Sequence, residues 1–538
     1  MNTAGRLERS GGVGSWKVDA LAVGLTLVAL GAALVVGAFS DGVYMDDDIT
    51  HYHFARDGWG NINALLNRWA RPGYNIPTAL VAHFFGLPGC RVFSALQTAA
   101  IAWFAYAIAR RLIGANIYAA LAVALVWVQP ITFRLATTTL TETTGGVYLT
   151  IGVWLYLRGN RIWGCGVLSL MFVARDETMA LGPIVAAAVI LDALREAGGD
   201  WRKMLRTGWV WACAGATVWA PGAYWTAAWV MQLPPDASPL SIFSRGYSAE
   251  YGSGVWYWFL GIWTEQASVG VLALGVGGAV YLGRKAWFIS GLVWGLVVLH
   301  SVIFARGMFA SGGYSRFLVP ISGLLGVLGA AGLKAVLFER RRSIVAVVFV
   351  CAAGWLLLVS YMFERYVAFR FTLALGLILA AAGVLAVVVR RPGFVRWWGR
   401  VAIAVMLLLS VGHFAAVTRP LRLSDSNMHN AIVDVLRDLE KSPHADKPAL
   451  SLHVMIRHLR PGTETAAGIE TATRKWQTAA SGTLFFWESK YCNPPLKPQS
   501  TQYLKDELQR LGRNVFSSTY ESCRAAVYLR NDTPGGTR

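Results

Sequence analysis

Apolar runs long enough to cross a membrane recur between about residue 18 and residue 417, and they limit the fold of this chain more than any other feature. A spanning helix needs ~20 predominantly apolar residues, and a soluble protein with a large core does not repeat runs of that length. The chain is 55% hydrophobic and only 15% charged, and its 23 tryptophans suit membrane interfaces. The sequence therefore predicts an all-α polytopic membrane protein.

The net charge of +19 is the second constraint, because such a charge can indicate a nucleic-acid partner. Here the basic residues fall in short clusters between the apolar runs, such as Arg110 with Arg111, Arg284 with Lys285, and Arg340 to Arg342. Clusters of this kind mark the cytoplasmic loops of membrane proteins. The charge therefore indicates topology, and we expect no nucleic acid as a partner.

The order of these clusters predicts the topology. Arg6, Arg9 and Lys17 precede the first run, which predicts a cytoplasmic N-terminus (residues 1–17) and an uncleaved first helix. The stretch Ile76–Gly89 is short for a span, and an amphipathic helix on the outer surface at this point puts the later clusters inside. About thirteen spanning helices then make up residues 18–417, at roughly 18–39, 91–112, 115–135, 144–159, 161–175, 178–194, 207–230, 266–283, 286–305, 317–338, 344–363, 371–389 and 401–417.

The odd number of helices places the tail, residues 418–538, on the extracytoplasmic side. The same alternation of helices places the loop 40–90 and the loop near 231–265 on that side. The tail combines helix-periodic segments ("NAIVDVLRDLEK", "QYLKDELQRLG") with strand-like ones ("ALSLHV", "GTLFFWES", "AAVYLRN"), which predicts a small α/β domain. Cys492 and Cys523 are expected to form a disulfide there, with two free thiols as the alternative. The histidines His413, His429, His453 and His458 have no recognisable metal-ligand spacing.

Three consecutive aspartates, Asp46 to Asp48, follow the first helix in "YMDDDITHYHFAR". An Asp at the bilayer centre costs ~2.5–3.5 kcal/mol, so they must lie at the surface or in a wet cavity. Taken alone, they suit the N-terminus of an interfacial helix, whose free N–H groups carboxylates accept. The alternative is a general base that takes a proton from an attacking hydroxyl. The triplet could also bind a divalent metal ion, but it specifies no coordination sphere by itself.

The same topology brings other charged residues to the outer face. They are Arg71 in "RWARPGYNIP", Glu142 in "TTTLTETTGG", Arg175 with Asp176 and Glu177 in "FVARDETMAL", and Arg316 in "YSRFLVP". Each alone could be an interfacial charge. Together they combine carboxylates with guanidinium groups, which bind phosphate bidentately. Because the cytoplasmic loops are short and no GxxxxGK[ST] loop occurs, a soluble nucleotide substrate is not expected.

These motifs resemble those of the GT-C superfamily of membrane glycosyltransferases, in particular the branch of the protein O-mannosyltransferases and the lipid A aminoarabinose transferase. "DDITHYHFAR" is similar to the acidic pair and aromatic helix that follow helix one, with Asp47 at the Asp position and Asp48 replacing Glu. "RPGYNIP", "TLTE", "ARDE" and "SRFLVP" resemble further motifs in family order, although Asp176 replaces a proline. The resemblance covers about residues 18–330.

The resemblance implies an enzyme that transfers a hexose or pentose from a polyprenyl-phosphate donor to a hydroxyl of a glycan, lipid or protein. Asp47 would be the base that deprotonates the acceptor, with Asp48 and Glu142 shaping the site. Arg71, Arg316 and Arg175 would bind the donor phosphate. No cofactor is firmly expected, and the expected location is the plasma (inner) membrane.

Two other functions are compatible with the composition. A transporter or flippase of polyprenyl-linked glycans would place its polar residues near the bilayer midplane and often contains two related halves. The ionisable residues here cluster at one face, and no clear internal repeat occurs. A receptor or scaffold would bind its ligand through the tail alone. The sugar, the acceptor and the length of the carrier lipid do not follow from the sequence.

Overall fold

The computed structural model of the chain describes residues 15–232, 252–308, 312–363, 369–389, 391–466, 468–492 and 498–531. Residues 1–14 of the predicted cytoplasmic segment and residues 233–251 of the predicted outer loop lie outside this description. The chain forms two compact units. The first comprises Met1–Phe39 and His51–Arg419, and the second comprises Ser40–Thr50 and Pro420–Arg538. The segment that carries the three aspartates thus groups with the tail.

The regular secondary structure of the first unit is entirely helical among its described residues. Its helices are α1 (Ser15–Ala38), α2 (Asp46–Gly58, which begins in the second unit), α3 (Ile62–Leu65), α4 (Pro72–Ile113), α5 (Ile117–Trp127), α6 (Pro130–Leu135), α7 (Thr141–Leu157), α8 (Arg161–Ala174), α9 (Gly182–Glu196), α10 (Trp201–Leu205), α11 (Gly208–Val230), α12 (Trp258–Leu282), α13 (Trp287–Ala305), α14 (Ser322–Leu337), α15 (Arg342–Met362), α16 (Phe369–Val388) and α17 (Pro392–Val417). Short 3-10 helices occupy Asp176–Leu181, Gly283–Ala286 and Ser315–Ile321.

Seven helical segments among the described residues are long and apolar enough to cross a membrane, and three further apolar helices are shorter. Every span predicted from the sequence coincides with helical residues. The predicted amphipathic stretch is also helical. It forms the first part of α4, which is kinked at Gly86, where φ is 61°. A positive φ interrupts a right-handed helix, so the backbone at Gly86 separates the predicted amphipathic stretch from the apolar run that follows it.

Small residues allow the helices of this unit to approach closely. A Cβ on Gly278 of α12 would lie 1.8 Å from the carbonyl oxygen of Leu328, and one on Gly332 of α14 would lie 2.1 Å from that of Leu274. Close backbone packing of this kind holds helices together where lipid removes the hydrophobic drive between them. The segment Ser315–Leu337, which contains α14, is correspondingly the most central apolar helix described, since 89% of its apolar stretch is buried.

The second unit is an α/β domain, as the tail sequence predicts. Its helices are α18 (Asn427–Glu440), α19 (Val454–Leu459), α20 (Ile469–Thr478) and α21 (Pro498–Leu511), and its strands are β1 (Ala449–Ser451), β2 (Glu464–Thr465), β3 (Leu484–Glu488), β4 (Gly512–Tyr520) and β5 (Cys523–Arg530). The sheet order is β2-β1-β3-β5-β4. β1 runs parallel to β2 and β3, whereas β5 is antiparallel to β3 and β4.

The alternation of β3 puts its side chains on opposite faces of the sheet. Phe486 packs with the apolar side of α18, and Phe485 packs with Trp476 of α20. Cys492 belongs to the second of these cores, whereas Cys523 packs against the first. Both cysteines are free, so the expected disulfide between them was wrong. They are kept apart because they contribute to cores on different faces of one sheet.

Candidate functional site

Seven charged side chains of the first unit form what we call the arginine–carboxylate cluster: Arg68, Arg71, Glu142, Arg175, Asp176, Glu177 and Arg316. All seven belong to the first unit. The three predicted phosphate-binding arginines and the predicted Glu142 are among its members, although they are far apart in sequence. Arg68, Asp176 and Glu177 were not predicted as site residues.

Asp176 holds two of the arginines. Its Oδ2 accepts hydrogen bonds from Nε of Arg68 at 3.1 Å and from Nη1 of Arg71 at 2.6 Å. Arg71 precedes α4 and adopts a φ of 61°, a conformation that is rare outside glycine and is retained only where the surroundings enforce it. The residue that replaces the proline of the family motif therefore binds the arginine of another motif.

Arg175 connects the remaining carboxylates. Its Nη1 donates to Oε1 of Glu142 at 2.8 Å, and its Nε donates to Oε1 of Glu177 at 2.7 Å. Nε of Arg316 lies 3.6 Å from the same Glu142 oxygen, which is an ion-pair distance. The guanidinium groups of Arg175 and Arg316 also lie over the ring of Phe317, at 4.7 Å and 5.3 Å from its centroid. Aromatic faces attract such cations.

Local sequence explains these positions. Glu142 lies in the first turn of α7, where a carboxylate meets the positive end of the helix dipole. The glycines of "TTGG" follow it, and a Cβ on Gly145 would lie 3.2 Å from Cγ of Arg175, tighter than an ordinary contact. Arg175 ends α8, and Arg316 lies in the 3-10 helix that leads into α14. Helix ends thus supply both charged partners of Glu142.

His51 is a buried neighbour of the cluster that the sequence analysis did not single out. Its ring stacks on Trp69, with centroids 4.6 Å apart. Burial lowers the pKa of His51 well below its ordinary value, and the positive charges of Arg71, Arg316 and Arg175 lower it further. One nitrogen bonds to the backbone of Ala70, while Nδ1 has no hydrogen-bond partner among the described residues. The imidazole is therefore neutral at pH 7.

The cluster can bind an anion. Four guanidinium groups face three carboxylates, which leaves one positive charge in excess among these side chains. Charges of one sign attract ligands strongly where the walls have a low dielectric constant. Guanidinium groups match the geometry of a phosphate.

The three aspartates belong to the second unit and have three environments. Asp46 is buried, and its Oδ2 accepts hydrogen bonds from Nζ of Lys490 and from the hydroxyl of Tyr491. Asp48 is fully buried and accepts the backbone N–H of Tyr44. Asp47 is only half-buried. Asp46 and Asp48 therefore have structural partners, and Asp47 is the most accessible of the three carboxylates.

Asp46, His429 and His453 have the spacing of a metal site, since one ligand atom from each lies within 4.8 Å of the others. The donor chemistry does not fit one. Nδ1 of His453 accepts the backbone N–H of Met455 at 3.1 Å, so the hydrogen of the neutral ring is on Nε2, the atom that faces Asp46. Lys490 already neutralises the carboxylate. We derive no metal-dependent step from this group.

The pKa values of Asp46 and His453 agree with an ionised carboxylate that accepts hydrogen bonds from Lys490 and Tyr491. Burial would raise the pKa of Asp46, but His453, Lys490 and Tyr491 outweigh burial and hold that pKa well below its ordinary value. Burial lowers the pKa of His453 to about 4. Asp46 is therefore ionised and His453 neutral at pH 7. The sequence did not reveal this group because Asp46 lies hundreds of residues before its partners in the tail.

Comparisons with known proteins give the fold. No family model matches the chain, and neither does any curated protein. The structure of ArnT from Cupriavidus metallidurans bound to undecaprenyl phosphate is similar, with a TM-score of 0.61 and 16% identity over 96% of this chain and 98% of that one. The archaeal oligosaccharyltransferase AglB from Archaeoglobus fulgidus, in complex with an inhibitory peptide and a dolichol-phosphate, has a TM-score of 0.43 and 10% identity over 95% of this chain and 75% of that one, which supports no inference.

The fold follows from the first of these similarities. The chain has the GT-C fold, with a polytopic helical unit and a small C-terminal sheet. This confirms the fold that the ordered motifs predicted. An identity of 16% establishes the fold alone, so activity and substrate are argued separately from this chain's own residues.

Proposed function

We propose that this protein is a glycosyltransferase that moves a sugar from a polyprenyl-phosphate donor to a hydroxyl acceptor. The observation that carries the proposal is the arginine–carboxylate cluster, a buried and net positive group at helix ends of a GT-C fold. ArnT, which has this fold, was solved with undecaprenyl phosphate bound. In a membrane protein, the anion available to the arginine–carboxylate cluster is a lipid phosphate.

The proposed chemistry assigns each group a role. Arg71, Arg175 and Arg316 bind the donor phosphate and stabilise the charge that grows on it as the bond to the sugar breaks. Asp47 takes the proton of the acceptor hydroxyl as its oxygen attacks the anomeric carbon. A single displacement of this kind inverts the configuration at that carbon. Glu142 orients Arg175 and Arg316 through its ion pairs.

The proposed topology follows the charges. About thirteen helices cross the plasma (inner) membrane, the N-terminus is cytoplasmic, and the acidic segment and the C-terminal domain lie outside. Asp48 supports the acidic segment by binding the backbone of Tyr44. The acceptor, a glycan, lipid or protein, would reach Asp47 from the extracytoplasmic side. Labelling of a cysteine introduced at position 47 by a membrane-impermeant reagent tests this orientation.

The test of the activity uses the purified full chain and a panel of polyprenyl-phosphate sugars. We expect one donor to be consumed, and we expect Asp47→Asn to lower transfer by roughly 10²–10⁴-fold, the usual contribution of a general base, while donor binding persists. Arg71→Ala and Arg316→Ala should instead weaken donor binding. Asp57→Asn, on the same helix and ion-paired with its neighbour Arg56, is the matched control and should transfer normally.

Two results would refute the proposal. One is wild-type protein that consumes no donor of the panel, and the other is an Asp47→Asn variant that transfers at the wild-type rate. If the variant lost movement of an intact lipid-linked glycan across a liposome membrane, with no transfer in either protein, a transporter would be the correct assignment.

A further inference from the structure

Helix α12 is broken inside the first unit. Ser268, ten residues after its start at Trp258, has a φ of 66° and a ψ of 152°. A residue with a Cβ rarely adopts this conformation, and non-helical backbone inside a membrane is tolerated where it is buried in protein or lines a polar cavity. Broken helices form the substrate sites of many transporters. The side chains around this break are therefore candidates for a ligand site.

Buried polar groups hold one side of the break. Nε2 of Gln266 donates to Oε1 of Gln129 at 2.7 Å and lies 3.1 Å from Oγ1 of Thr132. The hydroxyl of Ser268 bonds to that of Ser410 at 3.0 Å. These bonds lie inside the protein and hold the broken backbone, while Oε1 of Gln266 is buried with no hydrogen-bond partner among the described residues.

Glu265 differs from these neighbours. It is the only charged residue of α12, and it is exposed, whereas Thr264 and Gln266 on either side of it are buried. A carboxylate exposed on an apolar helix is unfavourable in lipid, so its surroundings must contain water or a polar ligand. The side chain of Ser315 hydrogen-bonds to it. Ser315 directly precedes Arg316, so Glu265 contacts the chain neighbour of one member of the arginine–carboxylate cluster.

We propose that Glu265 binds hydroxyl groups of the donor's sugar and contributes to the choice of sugar. This inference rests on the proposed function, because the sugar of such a donor is bonded directly to the phosphate that the arginines bind. Glu265, bonded to the residue before Arg316, is therefore placed to contact a ring next to that phosphate. A carboxylate has two oxygens that can accept from two neighbouring hydroxyls, and Ser315 fixes its orientation.

The test compares a sugar-bearing with a sugar-free lipid. Binding of the consumed donor and of plain polyprenyl phosphate is measured for wild type, Glu265→Gln and Glu265→Ala. Hydrogen bonds to a charged group contribute enough that we expect about a tenfold or greater rise in the Kd and KM of the donor. Binding of the sugar-free lipid should stay within about twofold. Glu339→Gln, which alters a carboxylate paired with Lys334 and Arg341, is the control.

The outcomes separate this inference from the proposed function. An unchanged donor Kd and KM in both Glu265 variants would overturn the inference and leave the glycosyltransferase proposal intact. An equal loss of both lipids would also overturn it, because Glu265 would then support the phosphate site or the fold. Glu265→Gln keeps the shape of the side chain, and its elution as a monodisperse peak shows that the variant folds. If wild type transfers no sugar, the proposed function fails, and the Kd of the panel donor that binds most tightly, compared with the Kd of plain polyprenyl phosphate, still tests Glu265.

Discussion

Glu488 should make the second unit less stable as the pH rises towards neutrality. Its carboxylate is fully buried at the end of β3 and accepts the backbone N–H groups of Lys490 and Tyr491. Burial raises the pKa of Glu488 from 4.5 to about 7. The folded state therefore holds this proton over a range in which the unfolded state releases it. A shift of about 2.5 units corresponds to about 3 kcal/mol of stability, present below pH 4.5 and lost as the pH approaches 7.

His453 opposes this trend. Burial lowers its pKa from 6.5 to about 4, so the unfolded state binds the proton in this range, and stability rises with pH. These two pH dependences oppose each other between pH 4.5 and 6.5, and His429, whose pKa burial also lowers, adds to that of His453. Glu488→Gln removes the loss of stability with rising pH that Glu488 causes, and it keeps a carbonyl oxygen that accepts from the backbone N–H groups of Lys490 and Tyr491. We expect the stability of the variant relative to wild type to increase by about 3 kcal/mol between pH 4.5 and 7.

Hydrogen exchange measures this difference in the intact chain. Protection of the β3 and β5 amides is followed at several pH values and corrected for the intrinsic exchange rate, so that it reports the free energy of opening. Glu470→Gln, an exposed carboxylate of α20, is the control and should keep the wild-type profile. If the difference between Glu488→Gln and wild type did not change with pH, the carboxyl would not be protonated in the folded state, and the linkage argument would be wrong.

Three further predictions concern other groups. In the folded chain, Cys523 should react with a maleimide while the buried Cys492 does not, and reductant should change nothing; a disulfide in the mass spectrum would contradict the structure. Sugar transfer should persist in EDTA, because Nδ1 of His453 accepts a backbone N–H and the hydrogen on Nε2 blocks metal binding beside Asp46. Loss of transfer in EDTA that only a divalent ion restores would contradict this. Asp176→Ala should raise the donor KM about tenfold by releasing Arg71, whereas Asp192→Ala should not.

Features that depend on local pattern were predictable from the sequence. The apolar runs gave the helices of the first unit, because length and composition alone decide what can lie in a bilayer. Short apolar and aromatic runs gave β1, β3 and β5 in the tail. Strand β4, "GRNVFSSTY", was missed because it is mostly polar and only partly buried, so its side chains have no clear alternation. The order of motifs along the chain was sufficient to predict the GT-C fold.

Contacts between distant residues were not predictable in this way. Arg71 and Asp176 are 105 positions apart, and Asp46 and Lys490 are 444 positions apart. No local pattern encodes such pairs, because they result from how whole helices and strands pack. The motif resemblance did place Arg71, Glu142, Arg175 and Arg316 in one site. It could not show that Asp176, where the family has proline, supplies the partner of Arg71.

The three aspartates show how geometry distinguishes residues that the sequence presents as equal. α2 begins at Asp46, and each following residue of a helix is rotated by about 100° around its axis. Three adjacent side chains therefore cannot share one environment. Asp46 meets Lys490 and Tyr491, and Asp48 turns back to the N–H of Tyr44. A general base must be reachable by the acceptor, and of these three carboxylates the half-buried Asp47 is the most accessible.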